Sequence, residues 1–552
     1  MMETNEARRQ NVFKQMKKGP LDILVIGGGI TGSGIALDAA SRGLKTAVLE
    51  MQDFAAGTSS RSTKLVHGGL RYLKQLEVKL VAEVGKERAI VYENGPHITT
   101  PEWMLLPFYK GGTFGPYSTN VGLRVYDFLA GVKKKERREM LSPTEALAKE
   151  PLIKQDELKG AGYYVEYKTD DARLTIEVLK KAVSLGALAA NYAKVVDFIY
   201  DQSDQVAGVM VENRLNGETH KMYAKKIINA AGPWVDELRE VDGSKEGKTL
   251  HLTKGVHLVF SQDVFPLRQA IYFDTPDGRM LFAIPRDNKT YVGTTDTDYT
   301  GDISHPVATV KDRDYILDAI HYIFPSVKVD ASDVESSWAG VRPLISDGEG
   351  KNPGEISRKD EIFISDSGLI SMAGGKLTGY RKMAQEAVDV VVQQLKEETN
   401  ILYSKSETEH IPVAGGDVGG SKGFTAFVQQ QIKIGESLGL ETTIAEKLVK
   451  RYGSEVIELF RLYQDKKSEA EAEGIDPVVL AELSYSMAYE FVQKPVDFFI
   501  RRTGALFFDI DWVKKHQEPV IRYMSKKFSW KQYVTDAYQK ELTKLLKEAQ
   551  FQ

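Results

Sequence analysis

The sequence predicts a mixed α/β (α+β) protein: a parallel-sheet unit first, a β-rich unit interleaved with it, and a helical unit at the C-terminal end. Three observations carry that expectation. A glycine-rich turn lies between an apolar strand-like run and a helical run near the N-terminus. Short strand-like runs with turn signals recur through the middle of the chain. From Phe424 onward, long amphipathic stretches replace them. With 552 residues the chain has length for about two to four folding units.

Residues 1–20 read as a polar extension with a short helix. Residues 22–26 (DILVI) read as a buried strand, 32–42 as a helix and 46–50 (TAVLE) as a second strand, the dimensions of a parallel βαβ crossover. Between the first strand and the helix stands Gly27-x-Gly29-x-x-Gly32. The first glycine permits a tight turn, the second lets backbone approach a pyrophosphate, and the third allows strand and helix to pack closely. Helix N-terminal amides then face phosphate oxygens. Glu50 ends the second strand, where a carboxylate roughly 20 residues past the turn accepts hydrogen bonds from a ribose. The turn alone does not separate FAD from NAD. The apolar stretch from Ile23 to Ala40 approaches the length of a membrane span, but the glycines and Asp38 speak against one.

Further on, 195–200, 206–212 and 221–232 read as three antiparallel strands with a hairpin turn at Asn216-Gly217, leading back to the first unit. More strands fall within 254–297. The run 362–373 and a turn at Gly374-Gly375 lead into a helix over about 379–396. Apolar residues make up 42% and charged residues 27%, ordinary for a globular protein, and a net charge of -4 gives no reason to expect nucleic acid. With no cysteine, disulfides, thiolate nucleophiles, cysteine-ligated metals and cysteinyl-flavin links are excluded. No metal is expected: Thr295-Asp296-Thr297-Asp298 lacks the glycine and terminal glutamate of a calcium loop. The N-terminal stretch lacks the apolar core of a signal peptide.

The run IGGGITGSGIALDAASRG (26–43) closely resembles the first signature of the FAD-dependent glycerol-3-phosphate dehydrogenases, and AGGKLTGYRKMA (373–384) resembles their second. Between them GTSSRSTKLVHGGLRYL (57–73), YKTDDARL (167–174), NAAGPWV (229–235), KGVHLVF (254–260), VGTTDTDY (292–299) and AGVRPL (339–344) follow the family's order. PVDFFIRRT (495–503) is similar to a stretch of the family's cap. The resemblance implies a two-dinucleotide-binding-type, Rossmann-like FAD domain at 21–95, 170–245 and 355–400, a β-rich substrate domain at 96–169 and 246–354, and a helical cap at 401–552. It implies noncovalent FAD, oxidation of sn-glycerol 3-phosphate to dihydroxyacetone phosphate, and a membrane quinone as acceptor. Arg342 and Arg358 lie too close in sequence for the long insertion of the oxygen-using branch, and the cysteine motifs of the anaerobic branch are missing. Alternatives are an amine or amino-acid oxidase of the same superfamily and an oxygen-using glycerol-3-phosphate oxidase.

Such a substrate needs fixed cations for its phosphate and a base near neutral pKa for its hydroxyl proton. By resemblance, Arg342 and Arg358 are assigned to the phosphate, and Arg71 and Lys376 to the region of the flavin and reacting carbon. His257 is preferred as the base, because a strand of the substrate domain can project it over the flavin; His67 is the alternative, or a flavin contact. Cofactor contacts are expected from Gly27, Gly29, Gly32, Glu50, Val195, Gly232, Trp234, Gly375 and Thr378. Thr58, Ser59 and Ser60 touch the cofactor or cap a helix. A cytoplasmic homodimer, peripheral on the inner face of the membrane, is expected. Its docking candidates are the basic run Lys133-Lys134-Lys135 with Arg137 and Arg138, and the stretch from Arg522 to Lys531 that mixes cations with aromatics.

Overall fold

A computed structural model describes residues 5–67, 78–113, 115, 119, 137–346, 360–374 and 376–552. Its core is a sheet of mostly parallel strands in the order Glu361–Ile364, Ile370–Ala373, Thr219–Asn229, Leu21–Ile26, Thr46–Leu49 and Leu188–Ala190. Leu21–Ile26 pairs in parallel with strands on both sides, and its side chains are nearly all buried, as an inner parallel strand requires. Helices Ile30–Ser41, Asp171–Ser184 and Tyr380–Thr399 pack together against this sheet through Ile35, Leu174, Val178 and Val388.

Thr219–Asn229 belongs to two pairings. Its first half runs antiparallel to Val206–Asn213, which pairs in turn with Ala193–Tyr200; its second half runs parallel to Leu21–Ile26. The hairpin turns at Gly217, whose φ of 78° suits glycine. The strand expected to reach residue 232 stops at Asn229. There Gly232 (φ 57°) and Pro233 open a 3-10 turn, Gly232–Trp234. The crossover helix begins at Ile30, earlier than the pattern suggests, because Gly29 already takes the extended N-cap conformation.

A second, mostly antiparallel sheet takes the order Thr297–Asp298, Thr249–Ser261, Lys289–Gly293, Met280–Arg286, Ala270–Asp274, Thr100–Tyr109, Leu158–Lys168 and Leu65–Val66. The long strand Ser336–Ser346 lies along Thr249–Ser261. Helix Val310–Ile323 covers one face of this sheet with Ile316 and Ile320.

After residue 420 the described chain is helical. Asp476 caps Pro477–Tyr489, accepting from the N–H groups of Val478 and Val479, and Asp509 caps Ile510–Phe528. These helices share an apolar core with the second sheet, where Phe507 packs on Trp338. The stretch from Arg522 to Lys531 is largely committed within the cap. Tyr523 is buried and donates to Glu469, Lys527 pairs with Glu469 at 2.8 Å, Lys526 pairs with Glu473, and Phe528 stacks on Trp530 at 5.4 Å. Lys133, Lys134 and Lys135 lie outside the described residues; Arg137 is exposed. Among the described residues no helix is long and apolar enough to cross a membrane.

Candidate active site

The glycine turn is built by contact. A methyl on Gly27 would strike the carbonyl of Ala230 on the neighbouring strand, and one on Gly32 would strike the carbonyl of Gly27. Gly27 also has a φ of 112°, open to glycine alone at low cost. Gly32 therefore serves strand–helix packing, while Gly27, Gly29 and Thr31 line a cavity. Glu50, just past the second strand, accepts from the backbone N–H of Gly28 at 2.7 Å and of Gln52 at 2.8 Å. Burial pushes its pKa up, and those two donors pull it back.

The cavity has a volume of about 1120 Å³, above the roughly 300–1,000 Å³ usual for a small-molecule site. It runs from the glycine turn, Glu50 and Val195, past Gly232 and Trp234, to His67, Lys376 and Thr378, and ends against the second sheet at Arg342. The chain thus brings together most of the residues singled out from sequence. Trp234 packs its ring on Gly57, where an added methyl would sit 3.3 Å away. Thr378 and His67 are tied to each other: the His67 N–H donates to Thr378 Oγ1, and that hydroxyl donates to the His67 carbonyl, both at 3.1 Å. The His67 ring meets Phe282 edge-on at 5.9 Å, and Phe282 stacks on Tyr272 at 4.3 Å, making an aromatic wall. Arg342 lies 3.6 Å from Asp296, and both face the cavity.

Within the turn Thr58–Ser60 the first two hydroxyls are spent inside the protein. Ser59 Oγ accepts from Ile30 N–H at 2.9 Å, a cap for the crossover helix, and Thr58 Oγ1 donates to the Val341 carbonyl at 2.6 Å. Thr58 and Ser59 still line the cavity. Ser60 does not: the turn points it into the interior, where it is 1% exposed and its carbonyl accepts from Lys64 Nζ.

His257 is also absent from the cavity wall, contrary to the expectation for a base. Its ring is buried, stacked on Trp338 at 4.6 Å, and its Nε2 bonds Thr63 Oγ1 at 3.1 Å. The ring fills the space left by Gly293, where a methyl would strike it. Burial, with Arg342 and Lys64 nearby, holds its pKa well below the ordinary value, so the imidazole stays neutral. Arg71, Arg358 and Gly375 lie outside the described residues.

Sequence reasoning passed over several residues. Asp171 takes the ammonium of Lys64 at 2.5 Å and both the N–H and hydroxyl of Ser62, which fixes the segment leading to His67. Lys64 itself holds a positive φ of 58°. Asp296 was within reach of inspection, since it sits in the stretch VGTTDTDY; Tyr272 lies in no such stretch. The partner of Asp53, supplied by PVDFFIRRT far downstream, had no local signal. Among the described residues no group of three His, Asp or Glu gathers as metal ligands would.

A dinucleotide fits this cavity on two counts of its own geometry. The turn and helix start present backbone with no side chain in the way, and the half-buried Glu50 carboxylate stands beside them, bonded to the Gly28 N–H, where a ribose would lie.

The FAD dependent oxidoreductase family matches residues 22–381, and the C-terminal domain of alpha-glycerophosphate oxidase matches residues 406–534. The aerobic glycerol-3-phosphate dehydrogenase of Bacillus subtilis (strain 168) is 60% identical over 98% of this chain and 97% of its own length. That of Staphylococcus aureus (strain USA300) is 54% identical over 100% and 98%. The structure of the glycerol-3-phosphate dehydrogenase from Bacillus halodurans complexed with FAD superposes with a TM-score of 0.86 at 50% identity, covering 99% of this chain and 98% of that one. The L-alpha-glycerophosphate oxidase of Mycoplasma pneumoniae, at 18% identity and a TM-score of 0.56 over 70% of this chain and 97% of its own, shares the fold.

Proposed function

The chain belongs to the FAD-dependent oxidoreductases, within the aerobic glycerol-3-phosphate dehydrogenases, and from that membership we infer that it oxidises sn-glycerol 3-phosphate to dihydroxyacetone phosphate. The observation that carries the reading is the continuity of one cavity from the glycine turn to Lys376, His67 and Arg342. FAD, when bound, supplies the acceptor for the hydride leaving C2.

The chain's own residues then have four tasks. Glu50 and the turn at 27–32 hold the adenosine and pyrophosphate end, with Val195, Gly232 and Trp234 along the way. Arg342 grips the substrate phosphate with its planar fork, and Asp296 keeps the guanidinium aimed. Arg358 is proposed as the second phosphate ligand, and Arg71 as a cation near the reacting carbon. Lys376 lines the same cavity as Arg342 and offsets negative charge that develops during turnover. A ring nitrogen of His67 takes the hydroxyl proton. This histidine lines the cavity and is held by Thr378, whereas His257 is sealed behind Thr63.

Electrons leave to a quinone, and the protein attaches peripherally to the cytoplasmic face of the membrane as a homodimer. The absence of a spanning helix among the described residues agrees with attachment from one side. Anaerobic addition of glycerol 3-phosphate should bleach the bound flavin, and a quinone should restore its colour faster than oxygen does. Flavin that stays oxidised would end this reading; restoration by oxygen alone would move the chain to the oxidases.

A further inference from the structure

No described residue beyond Thr378 lines the cavity, yet the C-terminal helices grip the loop that forms part of its wall. That loop runs from Glu50 to Gly57 and wraps the glycine turn. Ala55 N–H donates to the Gly28 carbonyl at 3.0 Å, and the Phe54 ring lies so close to Gly28 that no methyl would fit there. Ala55 holds a φ of 64°, which a non-glycine residue keeps only when its surroundings enforce it.

The enforcement comes from far down the chain. Asp53, 1% exposed, takes a two-pronged contact from Arg502 at 2.7 and 2.9 Å, and Arg501 Nε at 2.5 Å. Asn191 donates to the same carboxylate at 2.9 Å and to the Phe491 carbonyl at 2.8 Å. The Phe491 ring meets Phe54 edge-on at 5.1 Å. Both arginines sit on the π-helical turn Asp497–Arg502, a form concentrated at functional sites. Arg501 is steadied by Asp497 at 2.7 Å, which also accepts from the Tyr192 hydroxyl, and Arg502 donates to the Glu490 carbonyl. None of Asp53, Phe54 or Ala55 lines the cavity; Glu50, Met51, Ala56 and Gly57 on either side do.

We propose that Asp53 is a positioning residue for the cofactor: clasped by Arg501 and Arg502, it sets the loop that carries Glu50 and Gly57, so FAD affinity and docking of the C-terminal helices are coupled. The proposal rests on the assignment of FAD to this cavity. Coupling of this kind is reciprocal: whatever cap docking adds to FAD binding, FAD adds to cap docking.

Hydrogen exchange on the wild-type chain, stripped of FAD and then reconstituted, tests the reciprocal side. Amides of residues 490–503 should slow at least about fivefold on FAD binding, although nothing there lines the cavity. Protection confined to cavity-lining segments overturns the proposal. Titration of the stripped protein with FAD tests the forward side. Asp53→Asn and Phe491→Leu should each weaken FAD binding by roughly 5- to 150-fold in the fraction still folded by circular dichroism. Arg502→Lys, which keeps the charge without the fork, should fall between them and the wild type. Phe491→Leu leaves the ion pairs intact, so it serves if Asp53→Asn does not fold. A Phe491→Leu chain that binds FAD within twofold of wild type overturns the coupling. A wild-type chain that binds no FAD overturns the cofactor assignment itself, and the coupling with it.

Discussion

Arg342 and the two histidines show how far a residue's type predicts its task. A charged hydrogen bond to phosphate contributes about 1.5–3 kcal/mol, so Arg342→Ala should raise KM and lower kcat/KM by roughly 10- to 150-fold. A loss below threefold in steady-state assays would take Arg342 out of the phosphate site. For the histidines the expectations divide. His67→Ala should lower kcat by roughly 10²-fold or more. His257→Ala should act chiefly on the melting temperature, since it removes the stack on Trp338 and the bond to Thr63. Equal kcat losses in the two variants would return the proton to His257 through Thr63. Both histidines were legible as candidates from their motifs. Which one faces the cavity was not, because a strand alternates its faces and a shift of one residue inverts them. The pairing of His257 with Gly293, whose missing side chain makes room for the ring, is a fact of register.

At the scale of elements, the strand–turn–helix at the N-terminus was legible because pattern, glycine spacing and terminal acid agree, and only its ends moved. The helix Asp171–Ser184 was not legible as a junction. Its buried face carries Arg173, Glu177 and Lys180 at i, i+4 and i+7, and meets Glu490, Glu455 and Tyr485 of the cap. Burial, against the pull of Lys180 and Arg173 and with the push of Glu455 and Glu490, raises the Glu177 pKa to about 7. Between the unfolded value of 4.5 and about 7, the folded chain keeps a proton that the unfolded chain has released. The stability this contributes is therefore full below pH 4.5 and is lost as pH rises through 7. Glu177→Gln should flatten that fall. Denaturant midpoints measured at pH 5 and pH 7.5 should differ less in the variant than in the wild type; an unchanged difference would place the titration elsewhere.

For the whole molecule, the proposed membrane attachment rests on surface: among the described residues no helix is long and apolar enough to cross a membrane. The Arg522–Lys531 stretch offers less free charge than its sequence suggests, since Glu469 and Glu473 take two of its lysines. Sedimentation with anionic vesicles should therefore show binding that weakens between low and high salt. Pelleting that ignores both lipid and salt would leave the quinone reading without a docking surface. The helical C-terminal part was legible from the change in periodicity after residue 400. The clasp between the first part and the last was not, because an ion pair leaves no local pattern when its partners are so distant.

That distance sets an order of events. Asp53 and Arg501 are separated by 448 positions. At about 5–20 residues per second on the ribosome, roughly 20 to 90 seconds pass between the making of one and the other. Throughout that interval the emerging loop around the glycine turn carries the Asp53 carboxylate with neither guanidinium yet made. The loop around the glycine turn is thus made early and secured late.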